Sequence, residues 1–251
     1  MMNIVLFGCC GRMGTAVSNL VDTIDNAQIV LGVDKFPKLM PYPVQASIDE
    51  SIAADVMICY MRPTEEDDIL NMLAYTIRKN IPLVMCTTAL SAECNDAISN
   101  AAQSIPVFYS ANMSLGVAML SRLLKQISAP LYNAAFDIEI VEKHHAKKLD
   151  APSGTALMLA DTIKNAIQEP ISINTNRTAV KAERRRNEIG VQAIRGGTIV
   201  GEHSITFAGQ FESIEITHSA QSRDVFAVGT LHAARFVVGK PAGLYSMEDI
   251  V

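Results

Sequence analysis

Asn3-Ile4-Val5-Leu6-Phe7-Gly8-Cys9-Cys10-Gly11-Arg12-Met13-Gly14 decides how this chain is read. It opens with a short apolar run, as in a strand buried on both faces. Gly8 ends the run, and from Arg12 a helical period places Met13, Val17, Leu20 and Ile24 on one side. A strand, a glycine-bearing turn and a helix, in that order, let backbone N–H groups at the helix start approach a pyrophosphate. The spacing is G-x-x-G-x-x-G, with Cys10 where a dinucleotide fingerprint has its second glycine. The same spacing also suits a glycine turn with a purely structural use.

Further along, Gln28–Val33, Val56–Tyr60, Leu83–Cys86 and Val107–Tyr109 repeat the apolar run. Helical segments lie between them. Thr64 with Asp67 reads as a capping box for a helix with Ile69, Leu73 and Ile77 on its apolar face, and Ser91 reads as the cap of the next helix. Strands alternating with helices imply parallel βαβ units and a Rossmann-like, doubly wound sheet. Ligands of such sheets lie beyond the C-terminal ends of the strands. Asp34 ends the second strand, where an acid bonds adenosine ribose hydroxyls. Lys35 beside it suits a ribose phosphate, so both NADH and NADPH are expected to be accepted.

After Asn112 the pattern changes. Leu115–Ile127 reads as a helix, and Phe136–Ile140 alternates apolar and acidic residues like a half-exposed strand. A helix after Ser153 carries Ala156, Ala160, Ile163 and Ile167 on one face, and strands follow at 190–194, 199–207 and 212–218. The fold class is therefore α/β: the doubly wound parallel sheet plus a second α+β domain with a mixed or antiparallel open sheet. The expected divisions are 1–114 for dinucleotide binding, 115–223 for substrate binding and oligomerisation, and 224–251 returning to the first domain. A helix over 226–238 begins that return, and Met247-Glu248-Asp249 reads as a structural tail.

Composition narrows the function. Of 251 residues, 49% are hydrophobic and 19% charged, and the formal net charge of −5 argues against a general nucleic-acid binder. Arg184-Arg185-Arg186 is the one dense basic run and reads as an exposed mobile loop, with a local anion site as the alternative. Five cysteines without a disulfide framework read as reduced thiols of a cytoplasmic protein. No Cys or His pair has zinc-ligand spacing, so no metal is expected. No stretch is long enough to span a membrane, and no secretory signal is read.

Glu142-Lys143-His144-His145-Ala146-Lys147-Lys148-Leu149-Asp150-Ala151-Pro152-Ser153-Gly154-Thr155 carries the chemistry. Imidazole exchanges protons near neutral pH. Lysine is a mobile cation for a carboxylate. A helix start with Ser153, Gly154 and Thr155 offers N–H groups to a second carboxylate. Together they predict a pocket for a small dicarboxylate with acid–base chemistry at its centre.

Over essentially its full length the chain resembles the 4-hydroxy-tetrahydrodipicolinate reductase (dihydrodipicolinate reductase) family. The resemblance rests on the glycine loop, Arg62-Pro63, Thr87-Thr88, Asn112–Val117, the Glu142–Thr155 stretch, Val200-Gly201-Glu202-His203 and Ser222-Arg223. It implies hydride transfer from NADPH or NADH to 4-hydroxy-tetrahydrodipicolinate with loss of water, in diaminopimelate and lysine biosynthesis. It also implies two domains that close over the substrate, and a homotetramer. By motif position, His144 would donate the proton, and Lys148 would bind a carboxylate and assist. His145, Ser153, Gly154 and Thr155 would hold the substrate. The glycine loop (Gly8, Gly11, Arg12, Met13, Gly14) with Asp34, Lys35, Arg62, Thr87 and Thr88 would hold the cofactor. The chain departs from the family where Gly-Thr-Thr-Gly is common: it has Cys86-Thr87-Thr88-Ala89. Cys10 varies the glycine loop, and Ala146 replaces a frequent basic residue. Two other readings are another NAD(P)-dependent dehydrogenase of an amino-acid-like acid, and a non-catalytic NAD(P)-binding sensor.

Overall fold

A computed structural model of the chain describes residues 1–23, 26–48, 51–179 and 181–251. In chain order its elements are β1 (Met2–Phe7), α1 (Arg12–Leu20), β2 (Ala27–Val33), β3 (Val44–Gln45), β4 (Val56–Cys59), α2 (Glu66–Lys79), β5 (Leu83–Met85), α3 (Ala92–Ala101), β6 (Pro106–Tyr109), α4 (Leu115–Asn133), β7 (Asp137–His144), α5 (Gly154–Ala166), β8 (Ser172–Asn174), β9 (Glu188–Arg195), β10 (Gly201–Ala208), β11 (Ser213–Ala220), α6 (Asp224–Val237) and β12 (Gly243–Tyr245). They divide into two units, residues 1–115 with 223–251, and residues 116–222.

The first unit is a seven-stranded parallel sheet in the order β12-β6-β5-β4-β1-β2-β3. Its strands are continuous apolar runs because both faces are covered. Val5, Phe7, Met57, Leu83 and Val107 pack with Ile69, Leu73, Cys94 and Ile98 of α2 and α3. The alternate residues Ile4, Leu6, Ile58, Val84 and Phe108 are fully buried too. On their side α6 packs against β4, β5, β6 and α1, and Phe236 meets Phe108 edge-on at 6.1 Å.

Several local expectations need correction. Thr64 and Asp67 do not form a capping box: the N-cap of α2 is Glu65, with no side-chain cap. The Glu65 carboxylate instead accepts from the Arg62 N–H at 3.2 Å, and the helix starts past Thr64. Ile77 is 38% exposed while Met72 and Thr76 are buried. Two turns at 3.6 residues each carry the stripe from Ile69 to Thr76, not to Ile77. α1 stops at Leu20, and Ile24 lies outside the described residues. The edge strands β3 and β12 were not expected; each is so short that it lacks a periodic signal. Ser91 does cap α3, accepting from Cys94 N at 3.2 Å. At the C-terminus Ser246 and Asp249 form a capping box on a short turn that buries Met247.

The second unit is a five-stranded mixed sheet in the order β11-β10-β7-β9-β8. β7 and β11 run antiparallel to β10, while β9 runs parallel to β7 and β8. One face packs Ile138, Ile140, Ile189, Val191, Ile205 and Phe207 against α4 and α5, including Ala156, Ala160 and Ile163. α4 runs on to Asn133, beyond the expected Ile127 and through Pro130. Buried Tyr132 anchors that last turn in the core. The strand expected from Ile199 begins at Gly201.

Arg185 and Arg186 of the arginine run are exposed, as expected, but Arg184 is not solvated. Arg184 is 18% exposed; it pairs with Asp137 at 2.7 Å and Glu139 at 3.0 Å and donates to the carbonyls of Ile138 and Glu188. Arg186 donates to Tyr132 O at 2.9 Å and stacks over the Tyr132 ring. The acids that hold Arg184 come from β7, some 45 residues earlier, so local charge density could not reveal them. Among the described residues no helix is long and apolar enough to cross a membrane.

Candidate functional site

Two constellations stand where strands hand over to helices, one in each unit. In the first unit, the loop after β1 is shaped by close backbone packing. Gly8 has φ +73°, and a Cβ there would meet Tyr60 O at 2.6 Å. A Cβ on Gly14 would meet Gly8 O at 2.3 Å, so α1 sits directly on the loop. The loop borders a cavity of about 320 Å³ whose wall includes Gly8, Gly11, Asp34, Lys35 and Arg62, together with Cys10, Phe36 and Lys38. Arg12, Met13, Gly14, Thr87 and Thr88 are not part of that wall. Thr87 is buried and donates to Met61 O at 2.8 Å, tying the end of β5 to the end of β4.

Asp34 is bound into the loop. Its Oδ2 accepts from Cys10 N and its Oδ1 from Phe36 N, both at 3.0 Å. Each oxygen keeps a second acceptor position for a ribose hydroxyl. Lys35 pairs with Asp68 at 2.7 Å, and Lys38 reaches Cys10 O at 3.4 Å. Cys9, Cys10 and Asp34 offer ligand atoms within 4.8 Å of one another, the one such group among the described residues. Burial drives the Cys9 thiol up to about 12, with Cys10 and Asp34 adding to the effect. Burial likewise raises Cys59 to about 11 and Cys86 to about 12. These three stay neutral thiols rather than nucleophiles.

The second constellation gathers at the ends of β7, β9 and β10 and the start of α5. Residues two apart on a strand share a face, so Glu142 and His144 stand together on β7. Glu142 is completely buried. It accepts from His144 Nδ1 at 2.6 Å, Ser153 N at 2.9 Å, and both terminal nitrogens of Arg195 at 2.8 and 2.6 Å. Burial alone would raise its pKa. The Arg195 pairing first, then His144 and the Ser153 N–H, outweigh that and hold it below the ordinary carboxylate value. His203 on β10 is buried, with Nε2 3.2 Å from Ser153 Oγ and its ring edge-on to His144 at 5.3 Å. Burial, reinforced by the nearby His144, pushes its pKa down to about 4. It is therefore neutral at ordinary pH.

Lys148 lies on the turn after β7, its N–H donating to His145 O at 3.1 Å. Its ammonium holds the Asp150 carboxylate at 2.9 Å. Lys148 chiefly, with the Gly154 N–H also contributing, keeps Asp150 below the usual value. Ser153 caps α5, accepting from Ala156 N at 3.2 Å. The structure thus brings together His144, Ser153, Gly154 and Lys148. It leaves His145 on the turn beyond the strand, outside the Glu142 cluster.

Sequence reasoning assigned no role to Glu142, Asp150, Arg195 or His203. Glu142 had a signal in its i, i+2 spacing to His144. Arg195 had none, and His203 stood only within the Val200–His203 family match without a role, because sheet pairing alone brings β9 and β10 beside β7.

Comparison with known proteins identifies the family. Two family models match, "Dihydrodipicolinate reductase, N-terminus" over residues 2–113 and "Dihydrodipicolinate reductase, C-terminus" over residues 116–251. The 4-hydroxy-tetrahydrodipicolinate reductase of Clostridium novyi is 46% identical, covering 100% of this chain and 98% of that protein. That of Clostridium tetani is 45% identical, covering 99% and 96%. A dipicolinate-bound dihydrodipicolinate reductase from Paenisporosarcina sp. TG-14 shares the fold with a TM-score of 0.79 at 21% identity, covering all of both chains.

Proposed function

The chain belongs to the dihydrodipicolinate reductase family, and on that premise we propose how its two units divide the work. The reaction is the reduction of 4-hydroxy-tetrahydrodipicolinate to tetrahydrodipicolinate with loss of water, in lysine biosynthesis, with a nicotinamide cofactor. The cofactor, when bound, supplies the hydride. We assign its binding to residues 1–114 with the returning segment 224–251, and substrate binding to residues 115–223.

Within the first unit, Gly8, Gly11 and Gly14 let the loop lie against the pyrophosphate, with Arg12 and Met13 at the helix start beside it. Asp34 receives the adenosine ribose hydroxyls through its remaining acceptor positions. Arg62, Thr87 and Thr88 follow the strands toward the nicotinamide. Both NADPH and NADH are accepted in this reading. Lys35 can exchange Asp68 for a ribose phosphate, because an exposed ion pair is worth only about 0–1 kcal/mol.

The reading of the second unit is carried by one observation: Lys148 already holds a carboxylate, that of Asp150, at 2.9 Å. A substrate carboxylate takes that place. Each charge-assisted hydrogen bond there is worth about 1.5–3 kcal/mol. Thr155 and Ser153 complete the helix start, and His145 borders the substrate from the turn. His144 delivers the proton that the reduced ring requires, with Lys148 assisting. A placed general acid contributes roughly 10²–10⁴-fold. A cytoplasmic homotetramer is the state we propose, with the second unit as the oligomerisation unit.

The test is oxidation of NADPH and NADH in the presence of freshly generated 4-hydroxy-tetrahydrodipicolinate, made from pyruvate and aspartate semialdehyde by the upstream synthase. Rapid turnover supports the reading, and the ratio of the two rates gives the preference. Cofactor binding without turnover overturns it.

A further inference from the structure

We propose that Glu142, clamped by Arg195, is a positioning residue that keeps the Nδ1 proton of His144 in place, so that the protonated ring gives its Nε2 proton to substrate and is left as the Nδ1–H tautomer. The proposal rests on the reading of His144 given above. An ionised carboxylate has acceptors only. With Glu142 Oε2 at 2.6 Å from His144 Nδ1, Nδ1 must carry the hydrogen. That leaves Nε2 as the nitrogen that exchanges a proton with substrate.

The carboxylate is placed to do this rigidly. Arg195 spans both of its oxygens, a two-point fork that fixes the plane of the carboxyl group as well as its charge. Ser153 N closes on Oε1 at 2.9 Å, so the same group that orients the imidazole also registers the start of α5. Arg195 is itself anchored, donating to Asp150 O and Ile194 O. A fully buried carboxylate without these donors would be costly; with them it stays charged. His203, neutral and edge-on to His144, adds no competing charge. The arrangement matches in role the buried acid that orients the histidine of a serine-protease triad, where the amide replacement puts the proton on the wrong nitrogen.

The experiment combines kinetics with ¹⁵N-imidazole NMR on the full chain. In the wild-type protein the neutral His144 ring, identified by loss of its signals in His144→Gln, shows the Nδ1–H form. Glu142→Gln lowers kcat by up to about 10⁴-fold while the NADPH dissociation constant stays within about twofold. Its His144 signals gain the Nε2–H form. Glu142→Asp, which keeps the charge, recovers part of the rate. An Nε2–H tautomer in the wild type overturns the proposal without any variant having to fold. So does unchanged kcat in Glu142→Gln, or a loss equally severe in Glu142→Asp. The underlying reading fails separately: if His144→Gln turns over normally, His144 is not the donor.

Discussion

The Gly8–Gly14 loop and the Glu142–Thr155 segment both join a strand to a helix, yet they are built from different materials. The first is a backbone site. Its shape comes from residues that lack a side chain, so that carbonyls and N–H groups can crowd together, as Gly14 does on Gly8. The second is a side-chain site, in which one buried carboxylate gathers an imidazole, a guanidinium and a helix N-terminus. A backbone site suits an extended diphosphate common to many enzymes. A side-chain site suits one particular substrate and a proton that must move. The contrast predicts that substitutions in the second unit act on chemistry and on pH response, whereas those in the first act on nucleotide affinity and local strain.

The largest effect expected apart from catalysis is on acid stability. Unfolded histidine protonates near pH 6.5, whereas His203 does so only at about 4. Between these values the unfolded chain binds the extra proton. Stability is therefore fully present above about pH 6.5 and is lost as pH falls toward 4, by on the order of 3 kcal/mol. Urea unfolding between pH 7 and 4.5 should show this fall in the wild type and a flatter profile in His203→Leu. Identical slopes would mean that His203 is not held neutral by its site.

Next is Asp34→Ala, which removes the acceptor shared by Cys10 N and Phe36 N. NADH affinity should drop by about tenfold or more. NADPH affinity should drop less, since its phosphate replaces one ribose hydroxyl. Titration of both cofactors decides it, and equal losses would remove Asp34 from ribose recognition.

The smallest effect concerns Ala89, which sits at φ +57°, a left-handed conformation costing a residue with a Cβ about 1–2 kcal/mol. Ala89→Gly should relieve that strain and raise the Tm by about 2–4 °C with nucleotide affinity unchanged. A lower Tm would show that the loop gains more from the methyl group than it loses in strain.

The two regions also differ in how readable they were. The parallel sheet was legible because its strands are unbroken apolar runs and its helices carry a 3.6-residue stripe. The Ala89 position was visible as a departure from a glycine, and the structure supplies the reason: the backbone there is left-handed. In the second unit the Ser153 cap was legible from local spacing, whereas Lys148 was singled out only through the family motif. The Arg195–Glu142–His144 chain and the Arg184 clamp were not, because antiparallel and parallel pairing across 40 or more residues creates them. Lys35 shows the same limit: its neighbour in sequence suggested a phosphate, but its partner in space is Asp68.

The division of labour between the units is tested most directly by measuring turnover and NADPH affinity on one protein, His144→Gln. The account predicts a kcat at least tenfold lower, with the NADPH dissociation constant unchanged. Normal turnover, or a loss of NADPH binding matching the loss of rate, would contradict it.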